Sequence, residues 1–198
     1  GVLGQNNLTN YSSPVQVGTE TTWGITEARF GLGSRNMSNI KTDGTLWSWG
    51  YSDYGESGQN NRTKYSSPRQ VGTDTSWASI SVAYMSCTAI KTDGTLWGWG
   101  NGNNGIFGQN DTVSRSSPVQ IAGNWSHART SNYRSSGVKT DGTLWTWGGY
   151  VYGNTGLNLT GSASQRSSPT QVPGTWNALS KCSVASQNQG AVKGAAPG

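Results

Sequence analysis

Histidine occurs once and cysteine twice in these 198 residues, and so small a stock leaves no constellation from which a zinc site could be written. Cys87 precedes Lys91 by four positions and Cys182 precedes Lys193 by eleven, so the two thiols hold different places in the repeat described below and are not an obvious pair. Carboxylates are also scarce. Outside the turns they are Glu20, Glu27, Asp53, Glu56, Asp74 and Asp111, with no pairing of the kind that acid–base or glycosidic chemistry uses. Asp53 and Glu56 share a loop but lack the further acidic ligands that calcium needs. The lone His127 follows a tryptophan by two positions, as a strand residue would. The glycines of GWGNGNNG are followed by no helix pattern, so they make no phosphate loop. The sequence therefore predicts no enzyme, no cofactor and no metal.

Fourteen basic residues face nine acidic ones, for a net charge of +5, and the arginines are scattered rather than clustered. A mild positive field suits an anionic surface, but a dedicated nucleic-acid binder would gather its charge, so no specific nucleic-acid partner is expected. No apolar run approaches the length of a membrane span, and no membrane insertion is expected. Aliphatic residues are sparse and phenylalanine occurs twice. The abundant Gly, Asn, Ser and Thr are poor helix formers, which argues against a helical fold and for short strands joined by turns.

What the chain does have is ten Trp, eight Tyr and a repeated phrase. KTDGTLWSWG, KTDGTLWGWG and KTDGTLWTWG begin at Lys41, Lys91 and Lys139. Each is followed by a glycine-rich segment: GESGQNN from Gly55, GIFGQND from Gly105 and GNTGLNL from Gly153. Next come SSPRQV from Ser66, SSPVQI from Ser116 and SSPTQV from Ser167, and then a lone Trp77, Trp125 or Trp176. GVLGQNN from Gly1, SSPVQV from Ser12 and Trp23 make one more partial copy. A period of roughly 50 residues signals a solenoid or a propeller.

One unit reads as four strands: Ile80 to Ala83, Cys87 to Lys91, Thr95 to Trp99 and Val119 to Ile121. Asp93-Gly94 between the second and third is a two-residue hairpin signal. Four antiparallel strands, repeated, describe a propeller blade. The expected fold is all-β: a β-propeller with about four repeat units in one domain over 1–198, divided as a partial repeat 1–40, repeats 41–90, 91–138 and 139–192, and a degenerate end 193–198. Because side chains alternate along a strand, Trp47 and Trp49 share one face while Ser48, Gly98 and Thr146 take the other. Neighbouring blades can then pack large against small. The Lys and Asp of the phrase are expected as solvated charges flanking the turn.

These landmarks resemble the regulator of chromosome condensation repeat family, with its D-G turn, strand ending in W-G, G-x-x-G segment and P-x-x-V strand. The resemblance runs from Gly1 to Lys193 and implies a propeller. It implies no single activity, since members include a GTPase exchange factor, protein inhibitors and modules of signalling or secreted proteins. The family's G-x-x-H, counted back from the residue before each repeat lysine, reads Gly33, Ala83, Ser131 and Ala185 at the glycine and Asn36, Ser86, Arg134 and Asn188 at the histidine. That loss, and the lack of a wedge-like insertion, speak against nucleotide exchange. The near-identical phrasing is similar to repetitive propellers of secreted bacterial proteins and bacteriophage structural proteins.

The phrase is interrupted at both ends, so a segment of a longer array is expected, with a small four-bladed ring as the alternative. An open blade edge invites self-association. Sequence varies most at 51–65, 101–115 and 149–166, and long loops on a rigid scaffold carry recognition. The candidate partner-binding residues are Tyr51, Tyr54, Arg62, Tyr65, Asn103, Arg115, Tyr150, Tyr152 and Arg166, drawn from the residue types of adaptable interfaces. The set Asn36, Ser86, Arg134 and Asn188 is expected to line a water-filled axial channel. The expected function is a non-enzymatic structural or recognition module outside the cytoplasm, on a virion or cell surface, contacting a protein or a surface glycan. An intracellular protein-binding propeller is the alternative, and a lectin with one sugar site per blade a weaker one.

Overall fold

A computed structural model describes residues 1–149, 157, 165–174, 176–179 and 191–193. Strands β1 (Phe30–Leu32), β2 (Asn36–Ile40), β3 (Leu46–Gly50) and β4 (Tyr65–Gln70) form one antiparallel sheet in that order. A second, seven-stranded sheet contains β5 (Trp77–Val82), β6 (Ser86–Lys91), β7 (Thr95–Gly100), β8 (Arg115–Thr130), β9 (Arg134–Lys139), β10 (Leu144–Gly148) and β11 (Arg166–Val172). Strands β12 (Trp176–Leu179) and β13 (Ala191–Lys193) pair with each other. No helix among the described residues is long and apolar enough to cross a membrane.

The seven-stranded sheet is two blades joined by β8. Its first part pairs with β7, as Val119 opposite Gly98 and Ile121 opposite Leu96, and its second part pairs with β9, as Trp125 opposite Lys139. The sequence reading separates these two strands; the structure runs them together. The reason lies in the connection. Six positions separate Val71 from Trp77, but only four separate Ile121 from Trp125, too few for the loop that elsewhere breaks the strand.

The hairpin is also one residue longer than the Asp-Gly signal suggests. Lys41 N–H donates to Thr45 O at 2.9 Å and Gly44 N–H donates to Lys41 O at 3.0 Å, which leaves Thr42, Asp43 and Gly44 in the loop. Gly44 takes φ +82° to reverse the chain, the left-handed position of a three-residue hairpin. Its lack of a side chain matters as well, since a Cβ there would lie 2.0 Å from Thr75 O.

The two faces of each blade differ as the alternation implies. Ser48 opposes Ser38 and Leu46 opposes Ile40 on one face, while Trp47 opposes Asn39 and Trp49 opposes Met37 on the other. Ile40, Leu46 and Val71 of the first blade pack with Trp77, Ile80, Val82, Ala89 and Trp99 of the second. Ile90, Leu96 and Ile121 of the second blade pack with Trp125 and Trp147 of the third. Each buried indole removes on the order of 200 Å² from water, so these indoles dominate the contacts between blades. Gly98 stands where the first blade has Ser48 because a Cβ there would meet the Phe107 ring at 2.8 Å. The first blade's own indole-bearing face is less covered. Phe30 and Leu32 are 43% and 52% exposed, whereas Ile80 and Val82 at the same places in the second blade are 2% and 5% exposed.

The axial set departs from expectation. Asn36, Ser86 and Arg134 are buried rather than turned to a channel, and Asn36 Nδ2 donates to Cys87 Sγ of the next blade at 3.5 Å. The chain of the next blade runs close by, since a Cβ on Gly33 would meet Ala83 O at 2.5 Å as well as Asn36 Oδ1 at 2.4 Å. Cys87 is a free, buried thiol, and desolvation pushes its pKa far up, so it is inert packing. Cys182 and Asn188 lie outside the described residues.

Candidate partner-binding end of the propeller

The repeated phrase is a hydrogen-bonded chain built along one hairpin. Asp43 Oδ1 accepts from Thr45 N–H at 2.9 Å and from Thr45 Oγ1 at 2.7 Å. Thr45 Oγ1 in turn accepts from Trp47 Nε1 at 2.9 Å. The same chain runs through Asp93, Thr95 and Trp97, and through Asp141, Thr143 and Trp145. Those bonds from Thr45, Thr95 and Thr143 hold Asp43, Asp93 and Asp141 below the ordinary carboxylate pKa.

The lysines are not solvated charges. Lys41 Nζ sits 3.8 Å from the centre of the Trp47 ring and 4.8 Å from that of Trp23, and it pairs with Glu20. Lys91 lies over Trp97 and Trp77 and bonds Asp74 at 2.8 Å, and Lys139 lies over Trp145 and Trp125. A cation covering an indole gains from the ring quadrupole, and its stem seals the ring from water. Lysine and aspartate thus brace this end of each blade.

Glycine-rich segments have a structural task too. Trp99 Nε1 donates to Glu56 O, Trp147 Nε1 to Ile106 O and Trp49 Nε1 to Val2 O. Asn60, at φ +57°, donates its N–H to Ser116 O of the next blade. Each such loop latches onto the following blade, which removes residues 55–58 from any recognition surface. Glu56 is buried there, and desolvation raises its pKa although its carboxylate accepts the Tyr54 N–H.

A second group of exposed side chains lies at the opposite end of the strands. Gly50, at φ +104°, lets Tyr51 N–H donate to Arg35 O at 2.8 Å, which ties the end of β3 to the β1–β2 turn. The Arg35 guanidinium carbon lies 5.4 Å from the centre of the Tyr51 ring and 5.2 Å from that of Tyr84, which stands in the β5–β6 turn of the next blade. Lys64 Nζ lies 4.6 Å from the centre of the Tyr51 ring and 2.9 Å from Asp53 Oδ1. The bond to Asp53 raises the Lys64 pKa. Tyr84 N–H donates to Asn132 Oδ1 in the β8–β9 turn, so turns from all three blades meet.

The residues picked from sequence divide among these surroundings. Tyr51 is exposed and belongs to this cluster. Arg62 and Asn103 are exposed on neighbouring loops, and Asn103 N–H donates to Asn101 Oδ1. Tyr54 is half-buried beside Glu56. Tyr65 is half-buried, its hydroxyl bonded to Asn61 and its ring under Arg69. Arg115 pairs with Asp111 at 2.6 Å. Arg166 Nη1 donates to Gln165 O. Tyr150 and Tyr152 lie outside the described residues. Sequence reasoning missed Arg35 and Tyr84. The available signal was divergence in a turn between otherwise similar strands, Ser34-Arg35 against Tyr84-Met85 and Asn132-Tyr133. Among the described residues, no group of three or more His, Cys, Asp or Glu could hold a metal ion.

Four-stranded antiparallel sheets packed face on face through indoles are blades, and the protein is of the β-propeller class. Residues 43–90 and 93–131 match the Regulator of chromosome condensation (RCC1) repeat. Two solved propellers resemble it in fold. Human WBSCR16 is 23% identical with a TM-score of 0.61, over 73% of this chain and 37% of that one. Prp20p from Saccharomyces cerevisiae is 18% identical with a TM-score of 0.60, over 74% of this chain and 38% of that one. Yeast RCC1 (Prp20) also matches in its structure with Kap60 bound, at 17% identity and a TM-score of 0.60, over 74% of this chain and 37% of that one. The chain thus spans less than two-fifths of the length of these structures.

Proposed function

We propose that this propeller is a non-enzymatic protein-binding module that meets its partner with the end formed by the β1–β2, β5–β6 and β8–β9 turns and the loop after β3. One observation carries the reading. The aromatic and cationic side chains left exposed there, Arg35, Tyr51 and Lys64, are braced against one another and against Tyr84. Tyrosine and arginine held at low entropic cost are the anchors of protein interfaces. Prp20p, whose structure was described with its binding to Gsp1p and histones, supports a protein as the partner. A sugar site of the lectin kind would need open indoles, and those of the phrase are buried or covered by lysine. We place the module outside the cytoplasm on its repetitive phrasing alone. Co-sedimentation with virions or envelopes checks that location, since a cytoplasmic binder would stay in the soluble fraction.

The test of the binding end is affinity capture from the native source with three immobilised forms: unaltered, Tyr51→Ala/Tyr84→Ala, and Thr73→Arg. Thr73 lies at the other end, between β4 and β5. The expected partner is retained by the unaltered and Thr73→Arg forms and lost by the double variant. Retention by the double variant with loss by Thr73→Arg would reverse the reading.

A further inference from the structure

We infer that Arg35 is a preorganised receptor for a carboxylate, so that the partner presents an aspartate or glutamate at this end of the propeller. The inference rests on the protein-binding reading and names the chemistry of the contact. Arg35 is exposed at a turn whose backbone is pinned by Tyr51 N–H at 2.8 Å. Its guanidinium lies against two tyrosine rings, at 5.4 and 5.2 Å from their centres. Cation–ring contact of this kind spends none of the N–H donors, and the Arg35 side chain makes no hydrogen bond or ion pair among the described residues. No carboxylate among the described residues pairs with Arg35, although Lys64 beside it is paired with Asp53, and Lys41, Lys91 and Arg115 are also paired. An ordered planar fork with free donors matches a carboxylate by two parallel hydrogen bonds. Little rotamer freedom remains to be lost on binding, because the two rings already hold the side chain.

The setting favours a single acidic side chain over a nucleic acid. Binding a polyanion requires several phosphate contacts, and here Lys64 is already neutralised by Asp53, whose own charge faces the same loop. The Tyr51 ring, 40% exposed, offers an apolar flank for the residue beside the acid.

The experiment is fluorescence polarisation of a short labelled peptide of alternating glutamate and serine, against its glutamine isostere and a short oligothymidine. The protein is used as the unaltered chain and as Arg35→Lys, Arg35→Ala and Arg129→Ala variants, Arg129 lying on β8 opposite Ser136, with unchanged tryptophan emission confirming the fold of each. The acidic peptide is expected to bind at least about tenfold tighter than the glutamine isostere. Arg35→Lys should weaken it roughly tenfold by removing one charge-assisted bond, Arg35→Ala should abolish the preference, and Arg129→Ala should leave it unchanged. Equal binding of both peptides, no binding of either, or tighter binding of the oligothymidine through Arg35 would each overturn the inference. If native-partner capture still depends on Tyr51 and Tyr84 in that case, the protein-binding reading survives and only the carboxylate is lost. Capture that ignores those tyrosines removes the reading itself.

Discussion

Trp99 Nε1 donates a 2.9 Å hydrogen bond to the backbone carbonyl of Glu56, in the glycine-rich loop of the preceding blade. Because the indole is fully buried, this bond fastens one repeat to the next without exposure to water. Trp99→Phe keeps an aromatic ring but removes the donor. The Cys87 thiol, at 3.7 Å, stays as a weak donor to that carbonyl, so the expected cost is about 1 kcal/mol, the typical net worth of one hydrogen bond. Urea unfolding followed by circular dichroism measures it, and a loss within error would mean that the latch is incidental.

Equivalent positions in successive blades should respond unequally. Ile80 is buried between two blades, while Leu32, two positions beyond its counterpart Phe30, stands half in solvent. Ile80→Ala is expected to cost about 2–5 kcal/mol through lost burial and a residual cavity. Leu32→Ala is expected to cost within about 0.5 kcal/mol, as for surface positions. Similar midpoint shifts for the two variants would show that the first blade's face is covered in solution.

Lys41 lies over the Trp47 and Trp23 rings and is buried. Lys41→Gln removes the cation while keeping much of the stem. A loss of about 1–2 kcal/mol is expected, because the interaction is strongest when desolvated. The emission of the affected indoles should shift to the red as water reaches them. Unchanged emission and stability would count against the covering role.

Two opposed pH effects follow from the carboxylates. Asp43, Asp93 and Asp141 are held below their ordinary value of 3.8 by the threonine bonds. Their contribution is present above that value and is lost as pH falls through the lower folded pKa values. Glu56 is raised above its ordinary 4.5 by burial. Its contribution is therefore present below that value and lost as pH rises through the folded pKa. Glu56→Gln retains an acceptor for Tyr54 N–H, so it should flatten the decline above pH 4.5 and leave the acid-side decline intact. Changing the three aspartates to asparagine should do the reverse. Urea midpoints measured from acid to neutral pH decide both.

Much of this was readable from residue order. The spacing of Trp47, Ser48 and Trp49 specified which side chains share a face, because a strand alternates with a period of two wherever it lies. Asp43-Gly44 marked the hairpin because only a residue free of a side chain settles easily at positive φ. The short link between Ile121 and Trp125 stands in the sequence too, but the strands on either side of it read there as separate, and the structure joins them as β8. Such features depend on neighbours along the chain. Tertiary structure decided where Lys41 went, since the Trp23 ring that shares it is eighteen positions away. It also decided that the Glu56 loop is a latch, which required the next blade to be in place. The meeting of Arg35 with Tyr84 belongs to the same class. Forty-nine positions separate them, and no local preference records their approach. The stacking of one blade on another, set by indoles packing against small residues, brings those two turns within reach.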